Sequence, residues 1–88
     1  MNMTVIFNTI QNIISESTGV EEDVIVPDAH FEEDLGVSNT LLLPQLLELI
    51  NDQLETELEI NAFLEIPYEE QTVETLARLL SEEQLLLA

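Results

Sequence analysis

The spacing of leucine and isoleucine between residues 41 and 58 constrains this chain more than any other feature. Leu43, Leu46, Leu47, Ile50, Leu54 and Leu58 recur at three- and four-residue intervals, the rhythm of one face of an α-helix. That rhythm predicts a helix over about residues 41–57. It appears again near the start, where Ile6, Ile10, Ile13, Ile14 and Ser17 form one stripe of a helix over roughly 4–18. Asn8, Gln11, Asn12 and Ser15 fall on its other side, and Gly19 suits its C-terminal stop. A third stripe, Val73, Leu76, Ala77 and Leu80, follows Thr72, a good N-cap. The 88 residues suit a single all-α domain with its core over about 4–80. Residues 81–88 either extend the last helix or hang free.

The connections differ in kind. Residues 20–36 hold no sustained helical period and contain Pro27-Asp28, so they read as a long loop, with Val24, Val26, Phe31 and Leu35 as core anchors. A loop this long in so small a domain is expected to pack closely and to serve function. A short helix over 61–64 ends at a break at Ile66-Pro67, with Phe63 and Tyr68 wedging it onto the core. The expected fold is a small four-helix bundle: three main helices, a short third helix and a long first loop.

Charge narrows the function. Nineteen acids face one base, Arg78, for a formal charge of −18. Nucleic acid is repelled, because phosphate binding needs lysine and arginine. Anionic membranes are disfavoured for the same reason, and no apolar run approaches the roughly 18 residues of a membrane span. A basic patch on a protein partner is attracted. With no cysteine, disulfides and thiol chemistry drop out. The start, MNMTVIFNT, lacks the pattern of a secretory signal, so a cytoplasmic location is expected. His30 stands alone without a second ligand for a zinc site and is expected to pack beside Phe31. The runs Glu21-Glu22-Asp23 and Glu32-Glu33-Asp34 lack the spacing of a calcium loop and read as solvated acids. An independent enzyme is not expected from so short a chain.

The segment PDAHFEEDLG leading into a leucine-rich helix, followed downstream by QTVETLA, resembles acyl carrier proteins and the carrier domains of polyketide synthases. The resemblance covers about residues 4–80. Its strongest piece, Phe31 to Gly36, is similar to the stretch just before the family's Asp-Ser-Leu attachment motif; Gln71 to Ala77 is similar to the start of the family's fourth helix. The resemblance implies a four-helix bundle and a carrier role in fatty acid or polyketide biosynthesis. It also implies a 4′-phosphopantetheine arm, added from coenzyme A by a separate magnesium-dependent phosphopantetheinyl transferase and bearing acyl groups as thioesters. In such a site the hydroxyl lies at a helix N-terminus, where the dipole favours a phosphodiester.

Here the attachment motif departs from the family's. After Gly36 the chain reads Val37-Ser38-Asn39-Thr40-Leu41. Counting forward from Gly36 puts Asn39, which cannot form the phosphodiester, at the serine position. Counting back from the apolar spacing of the following helix puts Thr40 there, with Asn39-Thr40-Leu41 as the altered motif and one residue inserted. Pro44 favours a helix that starts at Thr40 or later over one capped by Ser38, because proline is tolerated only in the first turn. Thr40 offers a hindered secondary hydroxyl, and Ser38 a primary one in the wrong register. All three residues also suit plain helix capping.

The recognition face differs as well. Where the resemblance implies acids along the second helix meeting basic patches on biosynthetic enzymes, the Thr40 register holds Leu42, Gln45, Asn51 and Asp52, with Glu48 nearby. Leu41, Leu42 and Leu43 cannot all face inward, and Leu42 is expected to be the exposed one. Leu41, Leu42, Gln45, Glu48 and Asp52 are the candidate partner-binding residues, on a chain expected to be monomeric. Two functions remain: a carrier modified at Thr40 or Ser38, or a non-carrying relative that keeps the fold to bind a synthase or another biosynthetic partner.

Overall fold

A computed structural model describes residues 2–87, with side chains as far as Glu83. Four α-helices run in the order α1 (Met3–Thr18), α2 (Leu43–Leu54), α3 (Ile60–Leu64) and α4 (Val73–Leu87). Single 3-10 turns lie at Glu22–Val24 and Tyr68–Glu70. Among the described residues the β-type pairing is one isolated bridge, His30 to Thr72. The chain is thus an all-α, four-helix bundle with a short third helix and a long first loop, and α4 continues through Leu87. Ala88, the end of the expected extension or tail, lies outside the described residues.

Asn2 caps α1 by accepting the Val5 N–H at 2.9 Å, and Gly19 closes it in the left-handed region at φ 81. Ile6, Ile10, Ile13 and Ile14 are buried, and α1 packs against both α2 and α4. Ser17, placed on the same stripe by its spacing, is exposed instead; it lies in the last turn, beyond the buried contact. α2 begins later than expected, at Leu43, which places Pro44 in its first turn without loss of a helical hydrogen bond. It ends at Glu55, which adopts φ 57, and Asn51 ties the exit by accepting from Thr56 Oγ1 and from the Leu58 N–H. Leu58 therefore lies past the helix yet stays buried.

The long loop is stitched down along its length. Gln11 of α1 donates to the carbonyls of Glu22 and Ile25, at 3.1 and 3.0 Å. That turn sends Ile25 inward and leaves Val24 and Val26 exposed, so the expected anchors at 24 and 26 are replaced by Ile25 and Ala29. Phe31 and Leu35 are buried as expected, and Phe31 meets Phe63 edge to face with centroids 5.5 Å apart. Farther along, the Pro27 and Ala29 carbonyls accept the Glu74 and Val73 N–H groups, at 2.8 and 3.0 Å. Those donors would otherwise be orphans of the first turn of α4. Thr72 caps the same helix through its hydroxyl and the Thr75 N–H. Tyr68 does not wedge α3: it is nearly half exposed and rests on the buried ring of His30, centroids 4.4 Å apart.

Candidate functional site

The three residues between Val37 and Leu41 have three different fates. Gly36 turns the chain at φ 69, a conformation open to glycine and costly for other residues, and Val37 then drops into the core. Ser38 anchors the turn that leads into α2. Its carbonyl accepts from Leu42 and Leu43 at 3.1 and 2.8 Å, and its Oγ accepts the Leu41 N–H at 3.2 Å. The expectation from Pro44 that α2 starts at Thr40 or later holds: the helix begins at Leu43, with Leu42 in the cap position and no side-chain cap bond. Residues 39–42 form a turn wound on Ser38 before α2 proper begins, so Pro44 and a turn anchored on Ser38 are compatible.

Asn39 is buried, with only 3% of its surface exposed. Its backbone N–H donates to Glu32 Oε2 at 2.9 Å, and its side-chain amide donates to Gln71 Oε1. The other amide atom, Oδ1, is buried without a hydrogen-bond partner. Gln71, also buried, uses its own amide nitrogen on the carbonyls of Ile66 and Leu64, at 2.8 and 3.3 Å. Glu32 receives a second bond, from the Tyr68 hydroxyl at 3.0 Å. The Asn39 N–H first, then the Tyr68 hydroxyl, hold the Glu32 carboxyl below the usual carboxylate range. The same bond pushes the Tyr68 phenol up. His30 completes the cluster through Nε2, 2.7 Å from the Tyr68 carbonyl, while its backbone N–H donates to Asp34 Oδ2. The run Glu32-Glu33-Asp34 is thus only partly a solvated face, since two of its three acids accept hydrogen bonds that shape the loop.

Thr40 is exposed at the outer side of the turn. Beyond it, Leu41 is 74% exposed, whereas Leu42 is half-buried against the core. The expected exposure of Leu42 is corrected: the turn that precedes α2 rotates Leu41 outward and Leu42 toward the bundle. Gln45, Glu48 and Asp52 are all exposed, joined by Leu49, which the spacing argument did not single out. They border an open groove of ≈ 1080 Å³ that continues to Glu55 and Glu57. Arg78, the one strong base of the chain, lies 3.5 Å from Glu74 on its own helix and leaves this face uniformly acidic. Among the described residues no group of three or more His, Cys, Asp or Glu side chains is arranged to hold a metal ion. Nor is any helix long and apolar enough to cross a membrane.

Residues 8–80 match the family described as Phosphopantetheine attachment site. The chain belongs to this family of carrier domains. It is also similar to an acyl carrier protein of Guillardia theta, 32% identical over 78 residues, which are 89% of this chain and 95% of that one. No solved structure matches at comparable stringency. As a carrier-type domain the chain is a carrier protein and not an enzyme, and domains of this kind interact with biosynthetic enzymes.

The residues present accept the family's prosthetic group at one position better than at the others. Asn39 has no hydroxyl and its side chain faces the core. Ser38 has the right alcohol, but its oxygen is half-buried and already accepts the Leu41 N–H. Thr40 is exposed, in the turn that leads into the positive end of α2. The first-turn N–H groups of Leu41, Leu42 and Leu43 are taken by Ser38, so a phosphodiester there would draw on the helix dipole and not on those donors. Once bound, the arm supplies a thiol for thioester chemistry.

Gln71, Glu32 and Tyr68 were missed as site residues. Gln71 and Tyr68 lie far in sequence from Asn39, Glu32 lies seven residues before it, and no periodicity joins the three. Nor does Gln71 stand out locally, since it follows Glu69-Glu70 and precedes Thr72.

Proposed function

We propose that this chain is a single-domain, monomeric, cytoplasmic acyl carrier protein modified at Thr40. It would shuttle thioester-bound acyl groups in fatty acid or polyketide-type biosynthesis. The observation that carries this reading is the separation of the three candidates: Asn39 is buried, the Ser38 hydroxyl is engaged in the turn, and Thr40 is exposed. In the loading reaction Thr40 Oγ1 attacks the pantetheine-bearing phosphorus of coenzyme A. A new oxygen–phosphorus bond forms, the bond to 3′,5′-bisphosphoadenosine breaks, and the hydroxyl proton passes to a base of the transferase. The methyl group of threonine slows the attack without preventing it.

Docking is assigned to Leu41, Leu42, Gln45, Glu48 and Asp52, with Leu41 as the apolar contact and the acids facing a basic patch on the transferase or the biosynthetic enzyme. The uniform sign of the face supports this choice, since it attracts a basic partner and repels a second copy of the chain. A non-carrying interaction module is the second reading. It is favoured by the absence of an exposed primary alcohol between Gly36 and Leu43.

The test is incubation with coenzyme A, magnesium and a broad-specificity phosphopantetheinyl transferase, followed by intact mass and fragmentation. One adduct on Thr40 is expected, lost in Thr40→Ala and formed faster in Thr40→Ser. No adduct, beside a fully converted control carrier, would favour the interaction module.

A further inference from the structure

The polar cluster behind the attachment loop has a direction built into it. Gln71 spends its amide nitrogen on two backbone carbonyls, Ile66 and Leu64, so its oxygen must face Asn39. Asn39 must then present its nitrogen, which leaves its own oxygen buried and unpartnered. On the other side the Asn39 N–H is held by Glu32, itself held by Tyr68. Asn39 is therefore gripped at the backbone from the turn before it and at the side chain from the connection between α3 and α4.

We propose that Asn39 is a positioning residue: clamped between Glu32 and Gln71, it turns Ser38 toward the Leu41 N–H and Thr40 toward solvent, and so selects Thr40 as the acceptor hydroxyl. The selection rests on the carrier reading above; the clamp does not. Neighbouring residues in a tight turn project in different directions, so fixing the middle one at two points fixes both others. Selection is needed because Ser38 is the less hindered alcohol only two residues away. An amide is needed at 39, because the aspartate that the Thr40 register implies would oppose Gln71 acceptor to acceptor. Burial also removes Asn39 from any partner's reach.

The test uses the full chain, Asn39→Ala and Gln71→Ala, the last removing the same contact from its other side. Two measurements are made: amide exchange at Asn39 and Leu41 in the unmodified proteins, and the partition of phosphopantetheine adduct between Thr40 and Ser38. In Asn39→Ala, exchange at Leu41 should rise about tenfold or more, while position 39 keeps its bond to Glu32. Adduct should spread to Ser38, and kcat/KM for Thr40 should fall about tenfold, with the helical circular dichroism unchanged. Gln71→Ala should spread the adduct likewise. The proposal is overturned if Asn39→Ala matches wild type in exchange and partition. It is equally overturned if Gln71→Ala keeps the adduct wholly on Thr40, or if wild type is modified on Ser38. A wild-type chain left unmodified beside a converted control overturns the carrier reading and with it the selection; exchange still decides the clamp, because it requires no adduct.

Discussion

Removing either partner of the Asn39–Gln71 pair breaks the same hydrogen bond, yet the two truncations should differ widely in cost. Gln71→Ala takes away the acceptor of the Asn39 amide and the donor to the Ile66 and Leu64 carbonyls. It leaves Asn39, already carrying one orphaned oxygen, with its whole amide buried and unpaired. With about 0.5–1.5 kcal/mol for each net hydrogen bond and about 1–3 for a buried group left unsatisfied, the loss comes to about 2–4 kcal/mol. The 3.3 Å bond to Leu64 is the weakest contributor, and both carbonyls belong to half-buried residues that water can reach. Asn39→Ala strands only the Gln71 oxygen, at about 1–3 kcal/mol, and at the same time removes the orphaned Oδ1, which returns a similar amount. The backbone bond to Glu32 survives it. Its net cost should stay within about 1 kcal/mol.

For a domain of this size about 1 kcal/mol corresponds to about 4–8 °C in Tm, so Gln71→Ala should melt about 10–25 °C below wild type and Asn39→Ala close to it. Thermal unfolding followed by far-UV circular dichroism reads the difference directly, and the chain has no tryptophan to serve instead. The double variant should cost no more than Gln71→Ala alone, since Asn39 then has nothing left to lose. If Asn39→Ala proves as damaging as Gln71→Ala, then Oδ1 is satisfied in solution, and the directional reading of the two amides fails.

Three further outcomes follow from the same geometry. Gly36→Ala meets no atom within 4 Å but must hold φ 69, so its cost is purely backbone, about 1–2 kcal/mol, read as a Tm shift with no change of fold. The Glu32 carboxyl, held below its usual range, contributes stability that is complete above the ordinary carboxylate value and lost as pH falls through its folded value. Glu32→Gln should therefore flatten the acid limb of the stability curve, and an unchanged limb would show that the bonds to Asn39 and Tyr68 do not form in solution. Leu41→Ala should leave stability within about 0.5 kcal/mol of wild type, because the side chain is exposed, whereas Leu42→Ala should cost more. Partner binding measured by titration calorimetry should weaken in Leu41→Ala all the same.

The helices were legible because burial of a helix face imposes a period, and the leucines and isoleucines of α1, α2 and α4 keep it. The short α3 was placed within a residue, since Pro67 limits it on one side. Failures gathered where no period operates. Val24 and Val26 looked like anchors by composition, but Gln11 holds the intervening turn so that Ile25 points inward. Leu41, Leu42 and Leu43 are identical in kind, and only the winding of the preceding turn decides which is exposed. Pro44 correctly put the start of α2 at or after Thr40, but gave no hint that the segment before it is anchored on Ser38. A separate turn over residues 39–42 intervenes before the helix proper, and local sequence carries no signal for it.

The fate of Asn39 exposes the deeper limit. Whether the family's serine position falls on 39 or on 40 looked like a question of counting, forward from Gly36 or back from the leucines. Physically it is a question of which side chain the fold can afford to bury, and that depends on residues some thirty positions away. Position 39 is buried because Gln71 offers it an acceptor and Glu32 takes its N–H. Position 40 is exposed as a consequence, not by any property of threonine. A chain with the same loop and an apolar residue at 71 would strand the Asn39 amide and favour a different turn. On the proposed reading, the register of attachment is therefore not a local matter of residues 38–41: it depends on the contact of Asn39 with Gln71, distant in sequence and just before α4.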